Sequence, residues 1–152
     1  MSRLDIRKLA PKTDDPVSEG IRLALLNTIM LVVAGAVIFI VLWIVYRLRL
    51  IGIPLPLPVW LLMLLTGIPY FIIWFQYGKA FGLNLGTSNF VKAFIMSLIG
   101  QISGFILYFI IIYYNRDDAG GELIRIISII LRTFIIVSPI LSALGSLDSK
   151  KG

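Results

Sequence analysis

The sequence predicts an all-α integral membrane protein, with four transmembrane helices in an up-down bundle joined by short loops and both termini on the same side. Three observations carry this. Of 152 residues, 59% are hydrophobic and only 14% are charged, and the mean hydropathy is +0.96. That apolar surplus exceeds the share usual in a water-soluble domain, so lipid is the solvent it fits. The apolar residues fall into four runs, each near the ~20 residues needed to cross a hydrocarbon core of about 30 Å at 1.5 Å per residue. Aromatic residues, among them Trp43, Tyr46, Trp60, Trp74, Tyr77, Tyr113 and Tyr114, lie close to the ends of those runs, where interfacial belts form.

The expected spans are about 23–46, 58–77, 90–114 and 123–147, within a membrane domain of residues 21–147 flanked by an N-terminal tail (1–20) and a short C-terminal tail (148–152). The tail mixes Arg, Lys and Asp with Pro11 and Pro16, a pattern of irregular chain, with room for a short interfacial helix over Leu4 to Leu9. Pro54, Pro56 and Pro58 between the first two runs forbid helix continuation and force a short extended connection. The first two helices should therefore form a tight hairpin. Gly67-Ile68-Pro69 and Ser138-Pro139 should kink the second and fourth helices.

Orientation follows the distribution of Lys and Arg. Arg3, Arg7, Lys8, Lys12, Arg22, Lys79, Lys92, Lys150 and Lys151 fall on the terminal side; Arg47, Arg49, Arg116 and Arg125 fall on the other. The excess predicts a multi-pass protein of the cell membrane with cytoplasmic N- and C-termini.

Several chemistries are excluded. The chain has no Cys and no His, which removes thiol nucleophiles, haem ligation by His or Cys, and nearly all zinc, copper and iron–sulfur sites. No metal and no cofactor is expected. The loop YGKAFGLNLGTSNF from Tyr77 is glycine-rich but lacks the GK[ST] ending of a phosphate-binding loop; Ser88 or Asn89 caps the third helix instead. Net charge is +6, yet the basic residues are spread over tails and loops rather than gathered on one face, so nucleic acid is not an expected partner. The spans lack the acid, base and nucleophile combinations of an enzyme, and no enzymatic activity is expected.

Two faces stand out. On the third helix, Ala93, Ser97, Gly100, Gln101, Gly104 and Tyr108 follow one helical face, and the Gly100 to Gly104 step allows close helix approach in lipid. Gln101 lies near mid-span, where an unpartnered amide is costly, so it must bond another helix. On the fourth helix, Arg125, Ser128 and Arg132 stand at i, i+3 and i+7, with Pro139 and Ala143 extending the face. Arg125 can snorkel to the headgroups, whereas Arg132 lies about 14 Å along the axis from Leu123. All acids are expected in the tails or in the NRDDAGGE loop and its edge, which leaves Arg132 without a charged partner at its depth. Three arrangements satisfy it: snorkelling towards Asp117, Asp118 or Glu122; a carboxylate or carbonyls from another subunit; or an anionic lipid phosphate. The face is expected to point into protein, with the guanidinium buried and bonded to Tyr108, Gln101 or backbone carbonyls and to a group outside the chain.

The functional expectation is a small non-catalytic integral-membrane subunit that packs into and stabilises a larger membrane protein complex, with other membrane subunits and membrane lipids as partners. The alternative is an oligomeric channel or carrier for a small anion or polar solute.

Overall fold

The computed structural model describes residues 11, 13, 15–53, 59–84, 89–114 and 121–148, and in them every regular element is a helix: α1 (Pro16–Leu50), α2 (Val59–Asn84), α3 (Asn89–Gly100), α4 (Ile102–Tyr114) and α5 (Gly121–Asp148). α1, α2 and α5 are each long and apolar enough to cross a membrane, and α3 with α4 makes a fourth such unit if the bent pair is one span. The 54–58 connection, the Leu4 to Leu9 segment, the residue 88 cap and the 115–120 loop lie outside the described residues.

Helix α1 starts at Pro16, seven residues ahead of the expected boundary at Leu23. Asp15 supplies the reason. Its backbone is extended, its carboxylate accepts from the Val17 and Ser18 N–H groups at 3.2 Å each, and proline takes the first helical position. The Ser18 hydroxyl and these two N–H groups hold the Asp15 carboxyl below its ordinary value of 3.8, so the cap is complete above that pH and is lost as pH falls through the lowered value. The helix ends where Gly52 turns to φ +87°; the Gly52 and Ile53 N–H groups bond back to the Arg49 and Leu48 carbonyls at 3.1 Å, as at a left-handed C-terminal cap.

The helix expected as the third span is interrupted. α3 and α4 meet at Gln101 with a bend of 45°, where a continuous helix over 90–114 was expected. Gly100 and Gly104 flank the break, and the Gln101 side chain is drawn into the interior; side-chain insertion and glycine are ordinary causes of such bends. α2 and α5 run through Pro69 and Pro139 without interruption.

The expected hairpin of the first two helices is also corrected. α1 packs chiefly on α3, and α2 chiefly on α5. An apolar groove of about 320 Å³ lies between α1 and α2, lined by residues such as Ile29, Val33, Leu65 and Thr66. Small residues decide the pairing. A Cβ on Gly20 would meet the Ile99 side chain at 2.6 Å and the Met96 carbonyl at 2.9 Å. A Cβ on Gly78 would overlap the Ser142 carbonyl, and one on Gly145 the Phe75 carbonyl, so α2 and α5 touch backbone to backbone, the closest approach helices can make. Aromatic rings fill the space beside this seam: Tyr70 stacks on Phe134 at 4.3 Å, and Phe71 meets the same ring edge-on at 5.5 Å.

Both described ends of the bundle meet at one end. There the Arg22 guanidinium lies against the Tyr77 hydroxyl, and Lys79 bonds Asp148 at 2.8 Å. That second pair is roughly two-fifths exposed on each side. Lys79→Ala is accordingly expected to lower stability by less than about 1 kcal/mol, read as a thermal midpoint barely displaced from that of the parent; a large drop would show that the pair clamps the seam.

Candidate functional site

At the level of the break, three side chains from three segments close a hydrogen-bonded ring. The Gln101 Nε2 donates to the Tyr70 hydroxyl at 2.9 Å, the Tyr70 hydroxyl donates to the Asn27 Oδ1, and the Asn27 Nδ2 donates to the Gln101 Oε1 at 3.2 Å. The Asn27 Nδ2 has a further bond to the Ser103 Oγ at 3.0 Å. Asn27 and Gln101 are both 0% exposed. The positions follow from helix geometry: Asn27 continues the inward stripe of α1 that includes Leu23, Ala34 and Ile38, Tyr70 follows Pro69 on α2, and Gln101 is the hinge residue between α3 and α4. Two neutral amides and a phenol neither accept nor release protons readily near neutrality. The ring holds three segments together and carries no charge.

Beside it stands Trp74, expected at the interface and found fully buried. The indole fills the space that Gly100 leaves open; a Cβ there would lie 2.7 Å from the ring. Tyr77, also expected at the interface, is buried as well. Packing decides Trp74's place, and its indole lies against the Tyr70 ring at 6.3 Å.

The remaining interior hydroxyls bond to backbone. Thr66 donates to the Leu62 carbonyl, Ser138 to that of Phe134, Ser146 to that of Ala143, and Ser142 crosses to the Trp74 carbonyl of α2 at 3.0 Å. The first three stay within their own helix. Ser142 ties α5 to α2.

Of the expected third-helix face, the structure places Ala93, Ser97, Gly100, Gln101 and Gly104 in the interior and leaves Tyr108 half-buried. The arginines are placed otherwise. Arg125 and Arg132 are exposed on the outer side of α5, with Ser128 half-buried between them, and neither arginine forms a hydrogen bond or ion pair among the described residues. The inward-facing guanidinium bonded to Tyr108 or Gln101 is therefore corrected. α5 buries instead the face of Leu131, Phe134, Ser138, Ser142 and Gly145, because only that face presents backbone to α2. Pro139 and Ala143, assigned to the arginine face by spacing, are covered.

One described acid, Glu19, departs from the irregular tail expected for it. Glu19 lies inside α1 and is 3% exposed. It accepts from the Thr13 N–H at 3.1 Å and pairs with Arg22 at 3.3 Å, forming with Tyr77 a compact charged cluster at one end of the bundle. Asn27, Tyr70, Ser103 and Glu19 are the site residues that spacing does not single out. Their signals are weak: Asn27, Tyr70 and Ser103 each stand in a mainly apolar run, and Glu19 stands in the polar stretch that precedes the first one.

Compared with known proteins, the chain matches no family model, no curated protein and no solved structure.

Proposed function

We propose that the protein is a small non-catalytic subunit of a larger assembly in the cell membrane, a multi-pass chain with cytoplasmic termini whose outer surface contacts other membrane subunits and lipid. The observation that carries this is the exposed Arg132. It stands eleven residues into α5 (Gly121–Asp148), about 16 Å along the axis. A permanently charged guanidinium at such depth costs at least about 2.5–3.5 kcal/mol in lipid, and its own chain gives it no partner among the described residues. A helix keeps such a residue at little cost when another protein covers it. α4 adds to the case: of its residues only Gly104 is buried, and Ile106, Phe109, Ile110 and Tyr113 all face outward. Purification in mild detergent tests the reading. Other membrane proteins should be retained at fixed stoichiometry, and a solitary, well-folded monomer would end it.

A second reading is an oligomeric channel or carrier for a small anion or polar solute. Its support is the broken third span with polar side chains at the break, an arrangement that transporters use at substrate sites. Against it, the donors and acceptors of Asn27 and Gln101 are engaged with one another and enclosed. Chloride flux into liposomes decides: no flux, and no change with Arg132→Gln, removes this reading.

A further inference from the structure

We propose that the outer half of α5, centred on Arg132, docks a transmembrane helix of a different protein that carries a carboxylate at mid-membrane depth. The proposal rests on the subunit reading above and adds the chemistry of the partner. Arg125, Ile129, Arg132 and Ile136 are exposed at steps of four, three and four residues, so they form one stripe. The stripe continues through Ile140 and Leu147, which are exposed as well, while Ser138 and Ser142 on another side of the helix are covered. The uncovered region is continuous in kind with α4, where the described side chains other than Gly104 are exposed or half-buried.

Depth separates the two arginines. α5 has 28 residues, about 42 Å of helix, which overruns a 30 Å core by about 6 Å at each end. On that placement Arg125 sits at the core boundary, whereas Arg132 lies about 10 Å inside it. An arginine side chain is shorter than that distance. Arg125 reaches the headgroups and Arg132 does not.

Charge then selects the occupant. A guanidinium presents a planar fork of donors that a carboxylate matches in two parallel bonds. By sequence position a second copy of this chain offers no carboxylate at that depth: Asp5, Asp14, Asp15 and Glu19 precede or open α1, Asp117, Asp118 and Glu122 precede or open α5, and Asp148 closes it. A two-fold contact through the stripe would instead set Arg132 against Arg132, since an isologous interface repeats the same patch on both sides. The counter-charge must come from a different chain.

The test uses the full chain, labelled and reconstituted in phosphatidylcholine vesicles, with synthetic Leu/Ala transmembrane peptides bearing a single central Glu or a central Leu, and energy transfer as the measure of association. The Glu peptide should associate on the order of tenfold or more tightly than the Leu peptide, Arg132→Leu should abolish that preference, and Arg132→Glu should transfer it to a peptide with a central Lys. Equal association of the two peptides overturns the proposal, as does a Glu preference that survives Arg132→Leu. Loss of the Glu peptide when phosphatidylglycerol is added assigns the site to a lipid phosphate and overturns it equally, and self-association that depends on Arg132 assigns it to a second copy. A chain that binds the Glu peptide through Arg132 yet purifies alone removes the subunit reading only; one that retains partners regardless of Arg132→Leu removes the carboxylate only.

Discussion

Gly78→Val is expected to destabilise the bundle by about 3 kcal/mol or more, the upper part of the range for overpacked cores, and Gly145→Val by a similar amount. At either position even the first carbon of a side chain would overlap a carbonyl of the facing helix. Backbone cannot rotate away as a side chain can, so α2 and α5 must separate along the seam. Separation would also draw Phe134 from Tyr70 and the Ser142 hydroxyl from the Trp74 carbonyl. Gly35 is the internal control, because a Cβ there meets nothing within 4 Å. Gly35→Ala should leave stability unchanged or raise it by up to about 1 kcal/mol, through the gain in helix propensity. Thermal unfolding in detergent, followed by circular dichroism, gives the comparison. If Gly78→Ala and Gly35→Ala melt alike, the backbone contact between α2 and α5 is not there.

That the chain is built of helices long and apolar enough to cross a membrane was legible in the sequence, since the length of an apolar run answers to bilayer thickness. Which helices pair was not. In a soluble helix the apolar residues mark the inner face, but in lipid both faces are apolar: α1 buries Leu23 and Ile38 while exposing Leu25, Ile29, Phe39 and Ile40. Only small and polar residues then distinguish the inside. That signal points inward along Ala93, Ser97, Gly100, Gln101 and Gly104 on the third span. On α5 two such signals compete, the arginines and the run Ser138, Ser142, Gly145 and Ser146. Charge draws attention first, yet the small residues are the ones that admit a neighbouring backbone, and they are the ones buried. The start of α1 has a similar lesson. Asp15-Pro16 is a helix-start signal in its own right, and it prevails over the more polar character of Ser18, Glu19 and Arg22. The bend at Gln101 depends on partners distant in sequence, Asn27 and Tyr70, which no local pattern reveals.

Asn27→Leu is expected to be the most damaging change in the polar ring. It strips one acceptor and two donor contacts at once, leaves the Ser103 hydroxyl without its Asn27 donor, and forces the Tyr70 hydroxyl onto the Gln101 Oε1, 3.2 Å away, as its remaining acceptor. Each stranded buried group costs about 1–3 kcal/mol in a dry interior, whereas interhelical hydrogen bonds in membranes average only about 0.6 kcal/mol. The lower figure describes isolated pairs whose members find other partners. Here the ring is enclosed, which favours a loss of about 2–3 kcal/mol for Asn27→Leu. Gln101→Leu should cost a comparable amount, and Tyr70→Phe, which keeps the stacked ring and removes one oxygen, less than either. The discriminating measurement is the double mutant. Because Asn27 and Gln101 serve the same ring, Asn27→Leu with Gln101→Leu should cost about 1 kcal/mol or more below the sum of the single changes, with the bend between α3 and α4 relaxing in the single mutants as in the double. Additive losses would mean that the two amides are satisfied separately, and the ring would then have no part in holding α1, α2 and the break together.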